Sequence, residues 1–263
     1  MTEADFDSVR RMIYARAGIS LHDGKRAMVF GRLSRRLRQT GHASFADYLR
    51  ELERDPHTAE WQSFVNSLTT NLTSFFREEH HFHALVDDLK ARAGQPLRIW
   101  CNAASTGEEP YSLAMTVAET LGPKATVDLL CSDIDTNVLE TARQGVYGAD
   151  SRGLDAERLR RHFLRGTGAN AGRIRVRPEL AAMVRFFPFN LMAADWSALG
   201  APFDIVFCRN VMIYFDHETQ LRVLQRMHAV MKPGALLYVG HSENFTHASR
   251  WFRLRGKTIY ERL

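Results

Sequence analysis

Apolar positions along residues 1–70 recur three and four apart, the spacing of one helix face. FDSVRRMIYARAGI (6–19) aligns Phe6, Val9, Ile13 and Ala17, and Gly18 stands where a left-handed residue would close that helix. MVFGRLSRRLRQTG (28–41) repeats the pattern with Val29, Leu33 and Leu37 and stops at Gly41. SFADYLRELER (44–54) opens on Ser44 with Asp47 three residues later, a variant capping box, and Pro56 follows. WQSFVNSLTTNL (61–72) is a fourth helical run. The pattern predicts a small all-helical N-terminal domain over residues 1–70.

Beyond residue 95 the period changes. Short apolar runs, LRIWC (97–101), VDLLCSDID (127–135), FDIVFC (203–208) and ALLYVG (235–240), alternate with helical stretches at 108–122, 137–145 and 217–231. That alternation predicts an α/β domain over 71–263, with a largely parallel sheet covered by helices on both faces. RGKTIYERL (255–263) reads as a strand returning antiparallel to 235–240. Residues 162–183, with Gly166, Gly168 and Gly172 between β-like pieces, read as a small antiparallel insertion.

Composition changes this picture little: 45% hydrophobic and 25% charged residues are ordinary for a globular chain. Three cysteines, Cys101, Cys131 and Cys208, form no disulfide framework and no zinc spacing, which suits a reducing compartment. The polar start MTEADFDSVRRM is no signal peptide, and no run reaches the roughly 18 apolar residues of a membrane span. A soluble, cytoplasmic protein is expected. The net charge of +5 points to an acidic partner without naming one.

Candidate chemistry gathers where strands end. After 97–101 come the small residues Ala103, Ala104, Ser105, Thr106 and Gly107, then Glu108 and Glu109 at a helix start. GxGxxG is absent, which argues against a dinucleotide pyrophosphate; paired carboxylates there repel phosphate and welcome an ammonium or sulfonium. They equally suit the helix dipole. Asp133 follows the next strand, where nucleotide folds place a ribose-hydroxyl acceptor, while Asp135 suits a helix cap. An adenosine with a cationic, phosphate-free tail describes S-adenosylmethionine. Arg209, Asn210 and Tyr214 follow 203–208 and should face the same crevice. NLTSFFRE (71–78) joins the two domains, its polar Asn71, Thr73 and Arg77 alternating with Leu72, Phe75 and Phe76. His80, His81 and His83 carry no carboxylate–histidine pattern, and no metal is expected.

Taken in order, NLTSFFRE, ASTGEEPYS, SDID, FNL (189–191), FCRNVMIYF and GHSENF resemble the CheR-type chemotaxis receptor methyltransferases, the protein-glutamate O-methyltransferases. The resemblance spans essentially the whole chain. It implies a Rossmann-like S-adenosylmethionine-dependent methyltransferase sheet, with S-adenosylhomocysteine as product. It also implies that Asn71, Thr73 and Arg77 reach the cofactor from the connector, Glu108 faces its methionine part, Asp133 its ribose, Asn190 and Leu191 its adenine, and that Arg209 and Asn210 line the pocket. Arg77 and Tyr214 are implied nearest the transferred methyl. Cys101-Asn102, ahead of AAST, departs from the small residues often found in relatives.

The implied partner is the cytoplasmic domain of chemoreceptors, with recruitment to membrane receptor arrays but no insertion into the membrane. Between Gly24 and Ala46 lie six cations and no acidic residue. Arg32, Arg35 and Arg36 fall on one helical face, and with Arg38 they are the expected docking surface for receptor glutamates. The insertion resembles the family's small β-subdomain, which in some members binds a receptor C-terminal pentapeptide by strand addition. Two other readings compete. A nucleic-acid methyltransferase fits the basic charge but lacks the proline-bearing loop of amino-methylating enzymes after 203–208. A non-catalytic S-adenosylmethionine-binding adaptor would have no need of both Arg77 and Tyr214.

Overall fold

The computed structural model describes residues 1–122 and 125–263. Four helices open the chain: α1 (Glu3–Ala17), α2 (Arg26–Thr40), α3 (Phe45–Arg54) and α4 (Glu60–Leu68). Local chemistry sets their ends. Thr2 and Asp5 form a reciprocal capping box on α1, and Gly18 closes it at φ 71°. Ser44 accepts from the Asp47 N–H at 3.1 Å to start α3. The apolar faces meet in one core around Val9, Ile13, Val29, Leu33, Tyr48 and Phe64.

A connector at 69–79 leads to α5 (His80–Ala91), β1 (Leu97–Asn102), α6 (Glu108–Leu121), β2 (Val127–Asp133) and α7 (Thr136–Gln144). Then come β3 (Val146–Gly148), α8 (Ala156–His162), β4 (Phe163–Arg165), β5 (Arg173–Val176), α9 (Pro178–Ala181) and β6 (Val184–Pro188). The chain ends with β7 (Phe203–Cys208), α10 (His217–Ala229), β8 (Met231–Val239), β9 (Phe252–Gly256) and β10 (Ile259–Arg262).

The main sheet has seven strands in the order β6-β2-β1-β7-β8-β10-β9. From β6 to β8 neighbours are parallel; β10 runs antiparallel to β8, and β9 to β10. Consecutive residues of β1 face opposite layers. Ile99 and Cys101 enter the core shared with α5 and α6, and Trp100 enters the one shared with α10. The order reverses between β1 and β7, so a crevice opens beyond their carboxyl ends.

Two expectations need correction in their bounds, and one strand is not anticipated; the antiparallel return onto 235–240 is present as β10 on β8. The return strand at 255–263 is half of a hairpin: the chain turns at Lys257 and Thr258, both left-handed, and β9 forms the sheet edge. The strand β6 escapes a periodicity reading because VRFFP is short and ends on proline. The small sheet, ordered β3-β5-β4, begins at Val146 and so extends beyond 162–183; β3 is too short to show any period.

Candidate functional site

Four loops and the connector meet above the carboxyl ends of β1, β2, β6 and β7 and wall a cleft. Asn71, Thr73, Arg77, Asp133, Asn190, Leu191, Arg209, Asn210 and Tyr214 all line it. The helical domain contributes Ala17, Ile19, Ser20, Leu21, Lys25 and Met28, so it roofs the cleft.

The β1–α6 loop turns tightly. Ala103 and Ser105 hold φ of 53° and 51°, and Gly107 sits at φ 100°, where a Cβ would stand 2.7 Å from the Tyr147 hydroxyl. Phe76, Glu78 and Asn210 are also left-handed, at φ 50°, 57° and 57°. Non-glycine residues persist there only when their surroundings over-determine them, and five of them gather in the segments around this cleft.

Asp133 is buried at the end of β2. One carboxylate oxygen accepts from the Ser105 N–H at 2.8 Å, the other from the Asp135 N–H at 2.9 Å. Burial pushes its pKa up to about 6, against those backbone donors. Each oxygen keeps a lone pair for a hydroxyl donor. Asp135 takes the capping role, accepting from Asn137 and Val138 of α7. It also accepts from the Asn71 side-chain amide at 2.9 Å and the Thr69 hydroxyl at 2.6 Å, which pins the connector beside β2.

Arg209 is a buried hub with a fully covered side chain. It donates to Glu109 and to the Arg77 carbonyl at 2.6 Å and pairs with Glu78 at 3.2 Å. Burial alone would lower its pKa, but the two carboxylates hold it above the usual range. Two carboxylates against one guanidinium leave an excess negative charge under the cleft, and Asp133 adds to it. The rim is cationic: Arg77 donates to the Leu72 carbonyl at 2.9 Å, and Lys25 is exposed. The floor therefore favours a cationic ligand and the rim an arriving anion.

Glu108 does not line the cleft; the Thr106 hydroxyl donates to it at 2.6 Å, and Glu109 is the carboxylate on the wall. Helical geometry separates adjacent side chains by about 100°, so only one of the two can face the ligand. Asn190 donates to the Arg16 carbonyl at 2.7 Å and accepts from the Met192 N–H at 2.9 Å, so its side chain fixes the loop that presents Leu191.

The docking residues divide. Arg32 donates to the Leu68 and Thr69 carbonyls at 3.1 and 2.5 Å, and Arg36 clasps Glu60, which also accepts from the Tyr48 hydroxyl at 2.7 Å. Both guanidiniums are committed within the protein, which corrects their assignment as free docking groups. Arg35 and Arg38 remain exposed.

Glu78, His80 and His81 each bring a ligand-type atom within 4.8 Å of the others. Glu78, however, already accepts from Arg209, Asn210 and the His241 N–H, and the His81 Nε2 is engaged with Lys257 and Thr258. Glu78 is the far anchor of Arg209, and the His81 Nδ1, 3.6 Å from it, has no hydrogen-bond partner among the described residues.

Two contributors escaped the sequence reading. Glu243, in the GHSENF segment, is buried and accepts four backbone N–H groups: Asn210 at 2.9 Å and Gly240 at 2.6 Å on one oxygen, Val211 at 3.0 Å and Met212 at 2.8 Å on the other. Burial raises its pKa and the four donors oppose the rise. Asn102, at the end of β1, lines the cleft with both amide atoms unpaired among the described residues. The acceptors at Asp133, the negative floor and this unsatisfied amide together fit an adenosine carrying a cationic amino-acid tail.

Comparisons with known proteins agree. The family model for the CheR methyltransferase SAM binding domain matches residues 71–260, and that for the CheR all-alpha domain matches 4–69. A chemotaxis protein methyltransferase of Klebsiella aerogenes is 55% identical over 262 residues, covering 99% of this chain and 90% of the relative. One from Escherichia coli is 53% identical, covering 99% and 91%. Chemotaxis protein methyltransferase 2 of Pseudomonas aeruginosa is 52% identical, covering 98% and 93%.

Proposed function

The chain belongs to the CheR methyltransferase family and is an S-adenosylmethionine-dependent chemotaxis methyltransferase; on that premise we propose that it esterifies glutamate side chains on the cytoplasmic domains of chemoreceptors. The observation that supports this substrate is the polarity of the cleft. A cationic rim of Arg77 and Lys25 stands over a floor holding Asp133 and the Glu78–Arg209–Glu109 cluster.

When bound, the donor supplies a methyl group on a sulfonium. Asp133 would accept from its ribose hydroxyls, Leu191 would pack on the adenine side, and Glu109 would face the cationic tail. A glutamate has a reference pKa of about 4.3 and arrives ionised, so the site needs no general base. Arg77 orients that carboxylate through charge-assisted hydrogen bonds, and Tyr214 fixes its approach in line with the methyl. The bound donor would supply an electrophilic methyl to that carboxylate, and the transfer would remove two opposite charges. The apolar side chains of Ile19, Leu21 and Met28 on the roof keep water from separating them, since a strongly solvated ground state would slow the step.

Arg35 and Arg38 supply the exposed charge that meets acidic receptor helices. The small sheet offers β4 as an edge, with Leu164 exposed at 42%, for a receptor C-terminal pentapeptide to extend. Among the described residues no helix is long and apolar enough to cross a membrane; recruitment to receptor arrays rests on these two surfaces.

The test is transfer of radiolabelled methyl to a receptor cytoplasmic fragment. Label lost in mild alkali is expected, because carboxyl esters hydrolyse there and N-methyl groups persist. Alkali-stable label would overturn the glutamate assignment. A titration with receptor C-terminal peptides tests the β4 edge; no uptake removes that part.

A further inference from the structure

Asn102 is 1% exposed, and its side-chain oxygen and nitrogen both lack a hydrogen-bond partner among the described residues. Burying an amide with neither function satisfied is unfavourable, and an alanine would fill the position without that cost. Such a residue is explained when something polar arrives.

Its placement says what arrives. Asn102 pairs in register with Ser132 on β2 and with Cys208 on β7. It therefore stands on the midline of the crevice, between the Asp133 side and the Arg209 side. It follows Trp100 by two residues and shares that face of the sheet. The protein around it offers no completion. The Ser132 hydroxyl accepts from the Trp100 indole at 3.0 Å, and the Cys208 sulfur, opposite in register, offers the amide only a weak contact that falls short of hydrogen-bond geometry. On one side Asp133 presents two acceptors suited to ribose hydroxyls; on the other, Glu109 and Glu78 outnumber Arg209. An unpaired acceptor together with an unpaired donor, next to that negative excess, matches the ammonium and carboxylate of a free amino acid.

We propose that Asn102 is a donor-binding residue whose carboxamide accepts from the ammonium and donates to the carboxylate at the amino-acid end of S-adenosylmethionine. This rests on the donor-site reading above and adds a residue to it. Asn102 holds the ligand and takes no part in bond making.

Calorimetric titration of unliganded wild type, Asn102→Ala and Asn102→Ser separates the possibilities. The ligands are S-adenosylhomocysteine and 5′-methylthioadenosine, which lacks the amino-acid end. Asn102→Ala should weaken S-adenosylhomocysteine at least tenfold while changing 5′-methylthioadenosine less than twofold. Asn102→Ser, which restores one polar contact, should fall between. The unliganded Asn102→Ala protein should melt no lower than wild type, since it loses an unsatisfied buried amide. Unchanged S-adenosylhomocysteine affinity, or equal loss for both ligands, would overturn the proposal, as would a lower melting temperature in both variants. Failure of wild type to bind S-adenosylhomocysteine would instead count against the donor site as a whole.

Discussion

Glu243 Oε2 stands 2.9 Å from the backbone N–H of Asn210, and that bond ties the segment after β8 to the segment after β7. The same carboxylate gathers Gly240, Val211 and Met212, so the run from Arg209 to Tyr214 is folded around one buried anion. Gly240 is required beside it, because a Cβ there would lie 2.9 Å from the Asn210 backbone nitrogen and 2.4 Å from its side-chain Nδ2.

Replacing Glu243 with alanine leaves four backbone donors without their acceptor. A loss of about 2–4 kcal/mol is expected in denaturant unfolding. Glu243→Gln should be milder in stability yet should still lower kcat, because its NH₂ faces two N–H groups and displaces the loop that carries Tyr214. Unfolding midpoints and steady-state kinetics on the same samples check both.

Asp133 gives the donor site a pH dependence. Its pKa is pushed up to about 6 by burial, and only the ionised form offers both oxygens as acceptors. Ribose hydroxyls favour the anion, so S-adenosylhomocysteine affinity should fall as pH drops through about 6, with proton release on binding in that range. Asp133→Asn should bind more weakly at pH 7.5 and show a flatter profile. Calorimetry in buffers of differing ionisation enthalpy measures both quantities.

Arg77→Ala should lower kcat/KM for the receptor fragment roughly 100-fold while weakening S-adenosylhomocysteine less than tenfold, the pattern of a group that orients the acceptor. Tyr214→Phe should lower kcat with little change in KM. Parallel loss of donor affinity in both variants would reassign them to donor binding.

The arginines of α2 should separate by assay. Arg36→Ala should cost about 1–2 kcal/mol of stability, allowing for the partial solvent access of its pair with Glu60. Arg35→Glu and Arg38→Glu should leave the melting temperature unchanged, raise the receptor KM and flatten its salt dependence. The reverse assignment would remove the docking role of the two exposed residues.

What the sequence made legible follows from range. The β1 loop, Asp133 and the segment from Arg209 to Tyr214 each sit directly after an apolar run, so local pattern and topology together place them on one crevice. Arg32 and Arg36 read as part of a single charged stripe because their partners, the Leu68 and Thr69 carbonyls and Glu60, lie on another helix and its exit. Glu243 was visible only as part of a motif, since its four partners arrive from the backbone of a distant loop. Glu108 and Glu109 are identical in type and adjacent, and only the rotation of α6 decides which meets the ligand. The strand β6 and the early start of the small sheet were hidden by elements of five and three residues.

The backbone N–H of Ser20 donates to the Tyr214 carbonyl at 2.8 Å, and the Tyr14 hydroxyl reaches Asp216 at 2.7 Å just beyond. The helical unit and the catalytic unit are consequently not exchangeable parts. A chimera that transplants the first seventy residues from a relative replaces the ceiling over the donor along with the receptor-facing helix, so such swaps would alter how long the nucleoside stays bound as well as which receptor is met.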